Sequence, residues 1–214
     1  TSYSYDYTNF VLMYKCIYHY FAFHKTLLIN MSVAIRNTKH EILKALIEIL
    51  EAPECGKITT KTIAQKTDVT ESALYKHYRN KQEIFNALYL YIENTIADKV
   101  TEIKVNSNTP LERVKNIFYF LVLFVEKNPG FARLLTREAL SDTEQPIIEK
   151  VNKLFDDIEI EFLKLTNNKI ISNLLIIHIQ GILSEFVRTK FTYSPSKEID
   201  SIFNNIASPL DYLE

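Results

Sequence analysis

Residues 58 to 85 read ITTKTIAQKTDVTESALYKHYRNKQEIF, and this stretch decides the fold. Two short helical patterns flank a turn over residues 66–69. Threonines precede both patterns, and a threonine hydroxyl can accept a hydrogen bond from an unpaired N–H of a first helical turn. Thr59 and Thr60 are therefore expected to cap the first helix, and Thr70 the second. The apolar residues between the helices are Ile63, Ala64, Val69, Ala73 and Leu74. The stretch predicts a helix-turn-helix.

The outward face of this motif is polar, partly cationic and able to donate hydrogen bonds, as a surface that contacts phosphates and base edges should be. We expect its second helix to enter the major groove of double-stranded DNA. The candidates for base contacts are Glu71, Ser72 and Tyr75. The candidates for phosphate contacts are Thr59, Thr60, Tyr75, Lys76, His77 and Lys81. Residues 59–82 hold five basic and two acidic side chains, a net charge of +3, whereas the whole chain carries -1. Binding to DNA would thus depend on this local patch.

The composition is that of an ordinary globular protein, with 47% hydrophobic and 24% charged residues among 214. Only three glycines are present, which favours long helices over strands joined by tight turns. The two cysteines, Cys16 and Cys55, form no C-x-x-C pair, so neither a disulfide framework nor a zinc site is expected. The sequence shows no glycine-rich phosphate loop and no nucleophile–base pairing. We therefore expect no enzyme activity and no cofactor.

Apolar residues recur at helical spacing through the rest of the chain. The spacing predicts helices over 38–51, 81–104, 111–127, 131–140, 143–166 and 170–191, and a last one from Pro195 to about Leu210. The helix over 111–127 is the most apolar, so it should be the buried centre. No segment reads as a strand. The predicted class is all-α, with a three-helix DNA-binding domain over 31–80 and a helical regulatory and dimerisation domain over 81–214.

Residues 1–30 differ from the rest, with nine Tyr or Phe and Asp6 as the one acidic residue. Met31 opens a segment that reads like a natural start, so residues 1–30 are interpreted as a non-native N-terminal extension. An amphipathic helix, an unstructured tail and a peripheral membrane anchor are the alternatives. Basic residues and histidines interrupt the apolar part, which argues against a spanning helix. It also lacks the pattern of a signal peptide. We expect a cytoplasmic protein with no membrane partner.

The helix-turn-helix string resembles the TetR family of transcriptional regulators. The matching residues are Thr59, Thr60, Ile63, Ala64, Thr70, Glu71, Ala73, Leu74, Tyr75, His77, Tyr78 and Lys81. The resemblance implies a TetR-like fold and a homodimer that binds palindromic DNA sites.

Two further segments are similar to the nucleoid occlusion factors of the SlmA type. EKNPGFARLLTREAL, residues 126–140, resembles their E-R-N-P-G-x-x-R-x-L-T-x-x-A-L segment, and FVRTKFTYSP, residues 186–195, resembles F-V-R-S-x-F-x-Y-x-P. That resemblance implies a nucleoid-associated protein that binds dispersed sites, with higher-order assembly on DNA left open. When bound to DNA, such proteins engage the C-terminal tail of the division GTPase FtsZ and block Z-ring assembly.

By the same resemblance, the FtsZ tail would lie in a groove lined by Tyr78, Phe120, Leu123, Lys127 and Asn128. Lys127 would meet acidic residues of the tail. Leu123 stands where relatives often have glycine, and a leucine side chain would narrow the groove. The dimer interface is expected on the last long helices, at Ile177, Gln180, Gly181, Ser184 and Val187. Ile202, Phe203 and Ile206 are further candidates to pack across it.

The alternative function is a ligand-responsive repressor of a neighbouring operon. It shares the fold and the DNA surface. In that case the aromatic residues Phe118, Phe120 and Phe124 would line an inducer pocket instead of forming core, and a roomy cavity would lie within residues 90–190. Tyr78 has a similar alternative, as a core ring and not a partner contact.

Overall fold

A computed structural model describes residues 38–208, and every regular element in this range is a helix. The predictions for residues 1–30 lie outside the described residues. Three helices form the DNA-binding segment: α1 (Thr38–Glu51), α2 (Thr60–Lys66) and α3 (Glu71–Tyr75). Six follow: α4 (Lys81–Asn106), α5 (Pro110–Lys127), α6 (Pro129–Leu135), α7 (Gln145–Thr166), α8 (Lys169–Arg188) and α9 (Ile199–Ala207). The all-α prediction is confirmed. Within the described range, residues 39–208 form one compact unit, and the division at residue 80 stays a prediction.

The side chains of Thr59 and Thr70 cap the starts of α2 and α3 as the sequence predicts. The Thr59 hydroxyl accepts a hydrogen bond from the Thr62 N–H at 3.1 Å, and the Thr70 hydroxyl accepts one from the Ala73 N–H at 3.1 Å. Asp68 makes the turn between α2 and α3 with a φ of 56°. Thr60, however, is the first residue of α2 and not its cap.

Helix α5 is the centre of the body. All residues from 117 to 125 are buried, so every face of this part of the helix contacts protein. Aromatic rings join α5 to its neighbours: Phe118 lies 5.6 Å from Phe203 of α9, and Phe124 lies 5.5 Å from Phe131 of α6, between ring centroids. The prediction of a central buried helix over 111–127 is confirmed.

The largest differences from the predicted ranges are in α6, α8 and α9, where the backbone leaves the helical region. Arg137 has a φ of 68°, so α6 stops at Leu135 and not at residue 140. Lys190 and Phe191 also have positive φ, which is why α8 ends at Arg188. The predicted last helix is split into a 3-10 turn (Pro195–Lys197) and α9.

Gly130 lies where α6 approaches α1 most closely. A Cβ at Gly130 would stand 3.0 Å from the Ile47 carbonyl oxygen and 3.1 Å from the Leu50 Cβ. Gly130→Ala is therefore expected to lower the free energy of unfolding by about 1–3 kcal/mol, as overpacking does. Urea denaturation measures this. Gly56→Ala is the matched control, because nothing lies within 4 Å of its added Cβ. Equal midpoints for the two variants would contradict the tight approach.

Candidate nucleic-acid interface and partner surfaces

The exposed side of α3 carries the three predicted base-reading residues. Glu71 and Ser72 are exposed, and the ring of Tyr75 is 47% exposed although it is large and aromatic. The Thr60 hydroxyl of α2 lies 3.1 Å from the Glu71 Oε2 and 3.2 Å from the Tyr75 hydroxyl. Leu74, on the opposite side of α3, is fully buried. The motif thus presents one polar surface to solvent and uses the other for packing.

The positive charge of this surface is smaller than the sequence count suggests. Lys66 pairs with Glu48 of α1 at 3.1 Å, and Arg79 pairs with Glu83 at 3.8 Å. Both pairs are solvent-exposed and therefore weak, so these cations can still turn to phosphates. Lys61 and Lys76 are exposed as well. His77 is half-buried just beyond the end of α3, and its predicted phosphate contact stays a prediction.

Lys81 was predicted to contact a phosphate, and the structure places it elsewhere. Its Nζ lies 3.1 Å from the carboxylate of Glu144, whose side chain is only 1% exposed, and 3.4 Å from the Ile58 carbonyl oxygen. A buried carboxylate 63 residues away thus holds the ammonium within the protein, and a phosphate contact of Lys81 stays a prediction. Thr59 is likewise occupied, since its hydroxyl and its backbone N–H both bond Thr62 within the helix cap.

The Glu144 contact depends on ionisation. Burial raises the pKa of the Glu144 carboxyl, but hydrogen bonds from two neighbouring hydroxyls and from Lys81 outweigh burial and hold the pKa below its ordinary value. A lowered pKa means that the carboxylate stabilises the fold at neutral pH. That contribution is lost as the pH falls through the lowered pKa.

Arg133 of α6 links the body to the DNA-binding segment. Its side chain is 2% exposed, and its guanidinium donates to the carbonyl oxygens of Leu50 at 2.5 Å and Ala52 at 2.6 Å. The Leu50 carbonyl lies in the last turn of α1 and the Ala52 carbonyl just beyond it, where a cation also meets the negative end of the helix dipole. The guanidinium lies 4.7 Å from the centroid of the Phe191 ring. Lys190 pairs with Glu54 beside it. Sequence reasoning missed Arg133, which had no distinguishing signal beyond its place in the segment 126–140.

Three of the five residues predicted to line the FtsZ groove are buried. Tyr78, Phe120 and Leu123 are 7%, 1% and 3% exposed, so none of them lines an open groove. Phe120 and Leu123 are covered because other helices surround this part of α5 on every side, and their role in tail binding stays a prediction. Lys127 is exposed and Asn128 half-exposed at the end of α5. Half-buried Tyr91 of α4, which the sequence reasoning missed, lies 6.0 Å from Phe131 between ring centroids.

An exposed apolar face lies along α8 and the end of α7. Ile177 is 50% exposed, and Gly181 and Ser184 are exposed on the same side of α8. Gln180 is half-buried, and Val187 is 4% exposed within its own chain, so Val187 packs toward the core and its place in the dimer interface stays a prediction. Phe203 and Ile206 also pack inside the chain. The sequence reasoning missed four exposed apolar residues: Ile160, Leu163, Ile170 and Leu174.

Helix α8 is long and apolar enough, by length and composition, to cross a membrane, with a mean hydropathy of 1.6. Half of the residues in its apolar stretch are buried inside the protein. Core helices of soluble proteins reach the same length and apolar composition. The exposed apolar face explains the rest of its hydropathy.

Two clefts open beside Arg133, at the loop that follows α1. One of about 190 Å³ is lined by Lys57, Lys81 and Ser141 among others, and one of about 420 Å³ by Pro53, Thr136 and Arg188 among others. Both are lined largely by polar residues and lie at the surface. Phe118, Phe120 and Phe124 are instead core residues. Within residues 38–208, no group of three or more His, Cys, Asp or Glu is placed to hold a metal ion.

Comparison with known proteins identifies the family of this chain. Residues 42–88 match the model for bacterial regulatory proteins of the tetR family, and residues 108–210 match the SlmA-like tetracyclin repressor-like C-terminal domain. The nucleoid occlusion factor SlmA of Vibrio atlanticus is 30% identical over 179 residues, which cover 77% of this chain and 91% of that protein. The chain belongs to the TetR family. SlmA of Yersinia pseudotuberculosis is also 30% identical, over 82% of this chain and 96% of its own.

Solved structures of TetR-like regulators share the fold. The fatty acid degradation regulator FadR from Bacillus halodurans superposes with a TM-score of 0.68 at 12% identity, covering 84% of this chain and 98% of its own. A TetR-like transcriptional regulator from Rhodococcus sp. RHA1 has a TM-score of 0.67 at 16% identity, covering 84% and 99%. The TetR-like architecture predicted from the sequence is confirmed. This protein is a TetR-family DNA-binding regulator.

Proposed function

We propose that this protein is a nucleoid occlusion factor. As a homodimer it binds palindromic sites dispersed over the chromosome, and in its DNA-bound form it engages the C-terminal tail of FtsZ and inhibits Z-ring assembly over the nucleoid. It acts in the cytoplasm, associated with the nucleoid. The observation that supports this most is the 30% identity to proteins named SlmA, which extends through both the DNA-binding segment and the C-terminal helices.

The dimer forms through the exposed apolar face of α7 and α8. Ile177 and Leu174 lie one turn apart on α8, and Gly181 follows one turn later with nothing within 4 Å of its missing Cβ. A second copy of the same helix can therefore approach closely at Gly181. A two-fold dimer presents its two recognition helices, α3 of each copy, about 34–36 Å apart or at a wider multiple along the DNA.

The FtsZ tail binds near the carboxyl end of α5. Exposed Lys127 attracts acidic residues of the tail, and half-exposed Asn128 and Tyr91 border the same region. Asn128 is held in place, because its side-chain amide donates to the Phe124 carbonyl oxygen at 2.6 Å. Phe120 and Leu123 support this region from beneath and make no direct contact with the tail.

Helix α6 connects this region to the DNA-binding segment. It begins directly after Asn128, packs Gly130 against α1, and places Arg133 on the last carbonyls of α1. A shift of α1 on DNA therefore moves α6 and the Lys127–Asn128 region with it. This coupling supplies the dependence of tail binding on DNA.

Lys127→Glu is expected to weaken binding of an FtsZ C-terminal peptide at least tenfold, because it replaces an attractive charge by a repulsive one. Its affinity for DNA should stay within a factor of two, since Lys127 lies outside the recognition motif. Fluorescence anisotropy with labelled peptide and labelled duplex measures both. Lys153→Glu is the matched control on α7, an exposed lysine paired with Asp157. Unchanged peptide affinity in Lys127→Glu would refute the proposed tail site.

Genome-wide occupancy separates this function from a ligand-responsive repressor. Many dispersed sites are expected for a nucleoid occlusion factor. Occupancy of one or two promoters only would contradict the proposal and favour the repressor.

A further inference from the structure

A chain of hydrogen bonds joins the two DNA-facing helices at their exposed surface. The Thr60 hydroxyl of α2 donates to the Glu71 carboxylate at 3.1 Å, and it lies 3.2 Å from the Tyr75 hydroxyl. Glu71 and Tyr75 are one helical turn apart on α3, so both side chains point to the same face. The three groups are held together before any DNA is bound.

The number of hydroxyl protons determines which group donates in each of these hydrogen bonds. A threonine hydroxyl has a single proton, and here that proton goes to the carboxylate. The Tyr75 hydroxyl must then donate to the Thr60 oxygen. Its own proton is used, so the Tyr75 oxygen offers only lone pairs to the outside. An ionised carboxylate also only accepts. The surface formed by Glu71 and Tyr75 is therefore an acceptor surface.

We infer that Glu71 is the residue that selects a cytosine in each half-site, with Thr60 and Tyr75 as positioning residues. The inference rests on the proposed placement of α3 in the major groove. An acceptor surface is repelled by phosphates, which are themselves acceptors with negative charge. Its favourable partner in the groove is a base that presents an amino group.

Cytosine meets this requirement better than the other bases. It presents its N4 amino donor in the major groove, and a glutamate carboxylate accepts from that group. Adenine has an N6 amino group, but its N7 acceptor stands next to it and repels a carboxylate. Guanine and thymine offer only acceptors and a methyl group. A mere structural role for Glu71, as an acid in the first turn of α3, would give no base preference.

The test is selection of duplexes from a randomised pool, followed by affinity measurements on single-base variants of the selected site. The wild type should require cytosine at one position per half-site, with a loss of roughly ten- to a hundredfold for other bases. Glu71→Gln should lose that requirement and gain adenine, because an amide pairs with adenine N6 and N7. Thr60→Val, which keeps the shape but lacks the hydroxyl, should reduce the discrimination without changing the preferred base.

Lys76→Gln is the comparison variant, since it removes an exposed cation on the same surface. It should weaken all duplexes about equally and reduce the slope of log K against log salt by about one. Identical base preferences in Glu71→Gln and the wild type would overturn the inference while leaving sequence-specific binding intact. A wild type that selects no motif would contradict sequence-specific binding itself, and the inference would fall with it.

Discussion

Leu174→Asp combined with Ile177→Asp is expected to convert the protein from a dimer to a monomer and to weaken binding to a full palindrome at least a hundredfold. Both side chains are apolar but exposed within one chain, at 38% and 50%, so the monomer can fold with aspartate at these positions. In a dimer they become buried, and a buried unpaired charge is strongly unfavourable. A monomer can use only one half-site at a time. Sedimentation equilibrium and anisotropy with a labelled palindrome measure the two effects.

Val105→Asp is the matched control for this double variant. Val105 is 78% exposed near the end of α4, outside the α7–α8 face. It should remain dimeric with unchanged DNA affinity. A double variant that stays dimeric would show that this face is not the interface between copies.

Arg133→Met is expected to lower the free energy of unfolding by about 2–4 kcal/mol, because the buried Leu50 carbonyl and the part-buried Ala52 carbonyl lose their donor and an unpaired buried group is costly. The loss also frees α1 from α6. Limited proteolysis should therefore cut the loop after α1, residues 52–57, faster than in the wild type. Urea denaturation gives the stability, and gel analysis of a time course gives the rate of cleavage.

Arg137→Met is the control for Arg133→Met, since Arg137 makes an exposed hydrogen bond to Asn152. It should change stability by about 0.5 kcal/mol or less. Arg133→Lys should recover only part of the loss, because one ammonium cannot reproduce the planar fork in which Nη1 reaches Leu50 and Ala52 and Nη2 reaches Pro53. Wild-type stability in Arg133→Met would contradict the linking role of this residue.

Local sequence rules predicted the helices because their causes are local. The end of α1 at Glu51 agrees with the sequence prediction, and the caps Thr59 and Thr70 are each fixed by a side chain and an N–H three residues later. The central position of α5 followed from its apolar composition. These features depend on neighbours within one or two turns.

The site residues whose surroundings differ from the prediction contact partners far along the chain. Lys81 looks like a DNA contact until Glu144 is placed beside it. Phe120 and Leu123 look like a groove until the surrounding helices cover them. Such contacts have no signature in a single sequence. They require the tertiary structure.

The predicted dimer interface on α8 is a different case, because the helical period of the sequence already separates the two faces of this helix. Exposed residues at 170, 174, 177, 181 and 184 follow the helical spacing of one face. Val187 falls on the buried side with Leu183. The predicted seam combined residues from two faces, and a stricter use of the helical period would have separated them.

The most direct test of the proposed function is an FtsZ polymerisation assay with the purified full chain. FtsZ assembly is followed by light scattering with GTP, in the presence of the protein alone, a selected palindromic duplex alone, and both together. The protein with its duplex is expected to suppress assembly, the protein alone to have little effect, and Lys127→Glu with the same duplex to have lost the suppression. Normal FtsZ assembly in the presence of the DNA-bound wild type would contradict a nucleoid occlusion function.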